Sequence, residues 1–158
     1  MPDTARRRAR LPQPHAEIEY LILADQVEAL NGKLYMMGGG WDSVFVASVE
    51  QPVPVSIACG VLVPWNETDD NHALAIAVQD LDGTAVAPPF SVTFKTGRSP
   101  SMENGASTHV PFAVQAQLKF PSHGEYRIVA SVDGRDDGAR HLAFWVKAMP
   151  RVVVPQAS

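Results

Sequence analysis

Hydrophobic and polar residues alternate along much of this chain. In residues 53–63 and 110–120, nearly every second position holds a large apolar residue, with small, polar or proline residues between. This period of two is typical of a β-strand that places one face in a hydrophobic core. Shorter stretches predict further strands at 18–24, 72–79, 126–132 and 141–147. The pattern therefore predicts an all-β protein of about eight strands.

Most of the predicted strands are joined by short turns. Asn31-Gly32 and Asp82-Gly83 are residue pairs typical of tight hairpins. Three consecutive glycines, Gly38 to Gly40, indicate a bend, a bulge or the close approach of another backbone. Strands joined in this way usually pair antiparallel, and two sheets with one apolar face each pack together. We predict an antiparallel two-sheet β-sandwich, with a closed up-and-down barrel around a ligand cavity as the alternative.

One short segment resembles part of a known architecture. Residues 121–130, with Gly124 and Tyr126, resemble the start of the F strand in immunoglobulin-like and fibronectin-like sandwiches. In those domains a tyrosine hydroxyl bonds back to the preceding corner of the chain. The resemblance implies an immunoglobulin-like sandwich, with the Tyr126 ring buried and its hydroxyl bonded to nearby backbone.

The chain as a whole also resembles a family of small uncharacterised bacterial proteins, over most of residues 17–148. Five motifs carry this resemblance: Leu21-Ile22-Leu23-Ala24-Asp25, Asn31-Gly32-Lys33-Leu34-Tyr35, Gly38-Gly39-Gly40-Trp41-Asp42, Pro64-Trp65-Asn66-Glu67 and Gly124-x-Tyr126-Arg127. The resemblance implies a compact domain and a bacterial source. It transfers no catalytic residue, because no activity is assigned to the family.

The charge is distributed unevenly. The net charge is −4, yet residues 1–15 contain Arg6, Arg7, Arg8 and Arg10 against the single acid Asp3. We expect residues 1–15 to form a disordered basic extension, 16–149 a single domain, and 150–158 a tail. The domain itself is acidic, so nucleic-acid binding is disfavoured except weakly through the Arg6–Arg10 tail.

Two further features bear on location. The arginines are not followed by the apolar core of a signal peptide, and no stretch approaches the roughly 20 apolar residues of a membrane span. The single cysteine, Cys59, cannot form an intrachain disulfide, and it falls on the apolar face of its strand. We therefore expect a cytoplasmic protein with no membrane contact, and a buried, unreactive Cys59.

The sequence offers no recognisable catalytic or metal-binding motif. Its five histidines are scattered, and neither a Gly-x-Ser-x-Gly elbow nor a glycine-rich phosphate loop is present. The acidic loop at 67–72 does not have the ligand spacing of an EF-hand, and Asp133, Asp136 and Asp137 fit an ordinary turn. We predict no catalytic residue, no metal and no cofactor, and we expect a protein that is not an enzyme.

Two tryptophans at strand–loop boundaries suggest a binding surface. We select five residues for it: Trp41, Asp42, Trp65, Asn66 and Glu67. Exposed tryptophan supplies a large apolar area together with one hydrogen-bond donor. We predict a non-enzymatic protein-interaction or accessory module that binds a protein partner or itself. The alternative is a small-ligand or carbohydrate-binding sandwich that uses the tryptophans, and an enzyme with a spatially assembled site comes third.

The outward positions of two strands lack the charges of a solvent-facing sheet. In residues 53–63 these positions are Pro54, Ser56, Ala58, Gly60, Leu62 and Pro64, and in residues 72–79 they include Ala73, Ala75 and Ala77. If the two strands are neighbours, they form a flat patch that loses little side-chain entropy on burial. We predict that this face is covered by another segment of the chain or by a second copy.

Overall fold

Nine β-strands and one turn of 3-10 helix make up the regular structure of residues 12–157, the part of the chain that the computed structural model describes. The strands are β1 (Glu17–Leu30), β2 (Lys33–Gly39), β3 (Ser43–Val46), β4 (Val53–Val63), β5 (Asn71–Asp80), β6 (Phe90–Lys95), β7 (Thr108–Leu118), β8 (Gly124–Val132) and β9 (Arg140–Ala148). The 3-10 turn covers Trp65–Glu67. The all-β prediction is confirmed. The arginines of the predicted N-terminal extension lie outside the described residues.

The strands form two sheets. One has four strands in the order β2-β1-β4-β7, and the other has five in the order β3-β9-β8-β5-β6 and curls into a half-barrel. Every pair is antiparallel except β3 and β9, which run parallel. The prediction of wholly antiparallel sheets is therefore wrong at this one pair. Pro88-Pro89 precedes the edge strand β6, as expected of a proline pair that cannot donate ladder hydrogen bonds.

Residues from both sheets share one hydrophobic core. All six alternate positions of β4 that were predicted to face inward are buried: Val53, Val55, Ile57, Cys59, Val61 and Val63. They meet Leu74, Ile128 and Phe144 of the five-stranded sheet in the same cluster. The period-two pattern therefore identified the buried face of β4 correctly, because side chains of a strand alternate between its two faces.

Tyr126 lies at the start of β8 with its ring buried in this core. Its hydroxyl donates to the Ser122 carbonyl (2.6 Å) and accepts a hydrogen bond from the Ser122 amide (3.3 Å). The ring packs against Phe120, with 4.7 Å between the ring centroids. The expected bond from the tyrosine back to its corner is confirmed.

The long strand β1 changes partners half-way along its length. It pairs with β4 up to Ala24 and with β2 from Ala24 onwards. Beyond Ala24 the backbone lies over the outer side of β4 and β7, where the Asp25 carbonyl accepts from Ser56 Oγ (3.3 Å) and the Val27 carbonyl accepts from Gln115 Nε2 (3.0 Å). The β1–β2 hairpin therefore folds across the outer face of the four-stranded sheet.

This hairpin covers the small, uncharged face of β4. Val27 packs on Ala58, which is fully buried, and the Tyr20 ring lies directly over Gly60. The prediction that the β4 face is covered is confirmed at Ala58 and Gly60, where the cover is a segment of the same chain, whereas Pro54 at the start of the strand is exposed. The prediction that the outward faces of β4 and β5 form one patch is wrong, because the two strands belong to different sheets.

Glycines permit the backbone conformations that the turn and the bend of the β1–β2 hairpin require. Asn31 and Gly32 both have positive φ (51° and 71°), as the predicted tight turn requires. Gly38 (φ 60°) lies against the Asp25 side chain, and the amide of Gly40 (φ 89°) donates to the Leu23 carbonyl (2.7 Å). The glycine run is thus a bend that returns the chain across β1, where a side chain at Gly38 would overlap Asp25.

Candidate interaction surface

The β1–β2 hairpin exposes large apolar side chains. Leu30, Tyr35, Met36 and Met37 are between 39% and 68% exposed, whereas Leu34 packs towards the sheet. A hairpin that folds over a sheet can bury only one of its faces, so its other face stays in solvent. By the pairing register, Leu30, Tyr35 and Met37 lie on this solvent face, whereas Met36 lies on the other face, opposite Val27. We call Leu30, Tyr35 and Met37 the hairpin surface.

The hairpin surface adjoins an edge strand. β2 is the outer strand of its sheet, and within residues 12–157 no strand pairs with its second edge. Tyr35 lies opposite Glu28 and Met37 opposite Gln26, so an apolar row is flanked by polar residues of β1. An edge with unpaired backbone groups beside exposed apolar side chains is a template for pairing with another chain.

Sequence reasoning missed these residues as a site. The available signal was the run Leu34-Tyr35-Met36-Met37, four large apolar residues without the alternation seen in β4. A strand with one solvent face normally places polar residues at every second position. This run therefore indicated that both faces of β2 could make contacts.

A groove lies between β3 and the beginning of β4. Its volume is about 770 Å³, and Trp41, Phe45, Val46, Pro54 and Met149 are among its lining residues. The Trp41 indole nitrogen is buried and has no hydrogen-bond partner among the described residues. The part of Trp41 that reaches the groove is consequently ring carbon, and the groove offers an apolar wall.

Asp42 follows Trp41 in the chain and makes hydrogen bonds to residues of β3 and β9. Its carboxylate accepts from Ser43 Oγ (3.1 Å), and its backbone carbonyl accepts from the Trp145 amide (2.7 Å). These bonds begin the parallel pairing of β3 with β9. Asp42 therefore serves local structure at the start of β3.

Trp65 lies far from Trp41. Trp41 shares the groove with Pro54 near the start of β4, whereas Trp65 follows the end of that strand. An 11-residue strand separates the two regions by roughly 33 Å, at about 3.3 Å per step. The Arg98 guanidinium stacks 4.0 Å from the centre of the Trp65 ring, and Arg98 Nη2 donates to the Trp65 carbonyl (2.8 Å). The tryptophans therefore form no common surface.

Asn66 and Glu67 hold the segment that leads into β1. Asn66 Nδ2 donates to the Pro14 carbonyl (3.0 Å), and Glu67 Oε2 accepts from the Ala16 amide (2.7 Å). Their polar groups are thus engaged within the chain. Of the five residues selected from sequence, only Trp41 lines a cavity of this size.

One buried histidine is paired with a carboxylate. His72 is buried; its Nδ1 lies 2.8 Å from Asp133 Oδ2 and its Nε2 lies 2.9 Å from the Glu67 carbonyl oxygen. Both partners are acceptors, so the protonated imidazole can donate to both at once. Burial lowers the pKa of His72, but the hydrogen bonds to Asp133 and Glu67 outweigh it and raise the pKa above its ordinary value.

The same pair brings together side chains of metal-ligand type. One ligand atom each from Glu67, His72 and Asp133 lies within 4.8 Å of the others. However, Asp133 also accepts from the Ala73 amide (2.8 Å), and Glu67 accepts from Ala16. A metal would have to remove a proton from His72 and break these bonds. The arrangement is better described as a hydrogen-bonded clamp between β5 and the turn after β8.

A family model matches residues 19–144, and its description is a family of unknown function (DUF6941). The chain belongs to this family. No curated protein matches it.

The position of Cys59 in this DUF6941 chain follows expectation. Cys59 is buried in the core, and burial raises the pKa of its thiol to about 12, so the reactive thiolate is strongly disfavoured. Among residues 12–157, no helix is long and apolar enough to cross a membrane.

Proposed function

We propose that this protein is a non-catalytic interaction module that binds a protein partner through the hairpin surface. The observation that carries the proposal is that Leu30, Tyr35 and Met37 are exposed together on the solvent face of the β1–β2 hairpin, whose strand β2 is a sheet edge. Isolated exposed apolar residues are common on protein surfaces, but a contiguous group of large ones marks an interaction site. The partner would supply an apolar strand or face.

The energetics favour a partner that pairs with β2. An added strand satisfies the backbone groups of the edge, and its side chains cover Tyr35 and Met37. Tyrosine and methionine are enriched at the centre of interfaces, since tyrosine adds a large rigid area and methionine adapts its shape. The hairpin itself is anchored by Val27 on Ala58, so it is ordered before the partner arrives.

The local chemistry supports a non-enzymatic role. The most enzyme-like group, the His72–Asp133 pair, has both imidazole nitrogens occupied by hydrogen bonds. Neither residue is among those that line the groove beside Trp41. A general base needs a free nitrogen within reach of a substrate proton.

A small-ligand site at the groove is the second candidate. Its volume of about 770 Å³ falls within the range of roughly 300–1,000 Å³ that is usual for ligand pockets. The separation of Trp41 from Trp65 removes the double-tryptophan platform on which a carbohydrate site was based. The aromatic side chains available to a ligand there are Trp41 and Phe45.

For the fold, we propose kinship with immunoglobulin-like sandwiches. The neighbours β9, β8 and β5 correspond in order to strands G, F and C, and β1, β4 and β7 to strands A, B and E. The Tyr126 bond to Ser122 supports the same relationship. The buried Cys59, as the single cysteine, is consistent with a reducing, cytoplasmic setting.

The proposed function is tested by paired substitutions and affinity capture. The hairpin variant carries Tyr35→Ser and Met37→Ser, and the control variant carries Leu81→Ser. Leu81 is a suitable control because it is 54% exposed, almost the same as Tyr35 at 53%. Tagged wild type and variants are used to capture partners from extracts of the source organism, with quantification by mass spectrometry.

We expect a specific partner to be retained by wild type and by the Leu81→Ser variant, and to be lost from the hairpin variant. A photo-crosslinking residue at position 35 should then join the same partner covalently. Capture that is equal for both variants, or crosslinks that form only to unrelated abundant proteins, would refute the assignment to the hairpin surface.

A further inference from the structure

The groove beside β3 has an unpaired backbone edge. The Trp145 amide donates to the Asp42 carbonyl (2.7 Å), and the Met149 amide donates to the Val46 carbonyl (3.1 Å). Backbone groups of a strand point alternately to its two sides, so those of Ser43 and Phe45 point away from β9. β3 is the outermost strand of its sheet, and within residues 12–157 no strand pairs with this second edge.

A short apolar segment of the same chain is exposed after β9. Val152, Val153 and Val154 are 73–85% exposed, and three consecutive β-branched residues have high β-propensity. Pro150 and Pro155 bound the segment and cannot donate ladder hydrogen bonds. The pairing-competent stretch is therefore residues 151–154, four residues, which equals the length of β3.

Charge and shape match this segment to the groove. Asp25 is the only charged residue among the described residues that line the groove, and Arg151 is the only basic or acidic side chain in residues 149–157. Phe45, Val46 and Met149 supply apolar wall for valine side chains. We infer that residues 151–154 of a second copy of this chain pair with the free edge of β3, and that two copies exchange these segments reciprocally.

Chain geometry decides between a second copy and the chain's own segment. Met149 is still bonded to Val46 on the β9 side, so Pro150 is the only residue between it and Arg151. Passing from the position of β9 to the far side of β3 spans two strand spacings, about 9.6 Å. Arg151 lies two residues beyond Met149, and two residues span at most about 7.2 Å. The chain's own residues 151–154 cannot reach the edge in register, whereas those of another copy can.

Reciprocal exchange produces a closed two-fold dimer, because each copy offers both the segment and the groove. This inference goes beyond the proposed hairpin function and uses different residues. All substitutions that test it leave the β1–β2 hairpin unchanged, so its failure would leave the hairpin proposal unaffected.

Complementation between two defective chains is the decisive experiment. The first lacks residues 150–158 and keeps the groove; the second carries Phe45→Pro, which removes an edge amide and keeps the segment. Sedimentation velocity over a concentration series should show wild type as a dimer and each altered chain as a monomer. An equimolar mixture should form a heterodimer, because one segment and one groove remain compatible.

Three results would overturn the inference: wild type that stays monomeric throughout, a dimer that survives the deletion, or a mixture that forms no heterodimer. If Phe45→Pro fails to fold, a fluorescent peptide of residues 149–158 is titrated into the deleted chain. We expect saturable binding that Val153→Asp with Val154→Asp weakens at least tenfold, and absence of binding would equally overturn the inference. Trypsin cleavage at Arg151 adds a last check: protection should rise with protein concentration, and protection independent of concentration would mean that the chain's own segment docks.

Discussion

Gly60 provides a quantitative test of how β1 lies on β4. The glycine faces the Tyr20 ring, and a Cβ atom built at this position would overlap three ring carbons, the farthest of which is 2.7 Å away. Non-bonded carbon atoms are optimally 3.5–4.0 Å apart. Gly60→Ala must therefore displace the Tyr20 ring, which is packed against the small cluster around Ala58.

Two effects of the Gly60→Ala substitution oppose each other. Gly60 does not have positive φ, so alanine is compatible with its backbone. Alanine would stabilise the fold by about 0.4–1 kcal/mol, because it reduces the conformational entropy of the unfolded chain. Overpacking a filled site costs about 1–3 kcal/mol. We expect a net loss of about 1–2 kcal/mol in the free energy of unfolding, since the ring overlap exceeds what small shifts can relieve.

A double-mutant cycle isolates the contact between the two residues. In a Tyr20→Ala background the overlap is gone, and Gly60→Ala should become neutral or stabilising. The measurement is urea unfolding followed by tryptophan fluorescence, with the m-value checked for constancy. Gly97→Ala is the matched control, because an added Cβ there meets no atom closer than 3.9 Å. If Gly60→Ala behaves like Gly97→Ala in both backgrounds, the proposed packing of β1 on β4 is incorrect.

The remaining predictions concern three buried polar groups. The pKa of His72 is raised in the folded protein, so its protonation stabilises the fold. This stabilisation is fully present below about pH 6.5, the ordinary pKa of histidine, and is lost as the pH rises through the pKa of His72 in the folded protein. The free energy of unfolding should therefore fall across neutral pH. The measurement is chemical unfolding at several pH values. Wild type and the exposed control His123→Gln should show this slope, and His72→Gln should show a flat profile. Equal slopes in all three proteins would contradict the role of His72. Tyr126→Phe should cost about 1–1.5 kcal/mol in thermal or urea unfolding, because two bonds to Ser122 are lost, and an unchanged midpoint would contradict that role. Cys59 should react with a thiol reagent only at the rate of global unfolding, and fast labelling of the native protein would show that its burial is wrong.

The alternation of residue types was enough to predict which residues of β4 and β8 face the core. The alternation in β4 and β8 identified buried positions such as Ile57 and Ile128, because the two-residue period is a local property of an extended backbone. Asn31-Gly32 likewise determined the hairpin turn, since few residue pairs accept positive φ at both positions. The Tyr126 corner was predictable because its partner, Ser122, is only four residues away.

The contacts between distant segments could be read only from the three-dimensional fold. The parallel pairing of β3 with β9, the fold of the β1–β2 hairpin over Ala58 and the His72–Asp133 contact each join segments that are far apart in sequence. Such contacts depend on the sum of many weak packing energies across both sheets, and a local pattern does not encode that sum. For the same reason the sequence could not show that Trp41 and Trp65 lie at opposite ends of β4, or that Tyr35 and Met37 remain in solvent. The candidate surface could therefore be recognised only from the fold, in which one face of the β1–β2 hairpin is buried on the sheet and the other face has no neighbour among the described residues.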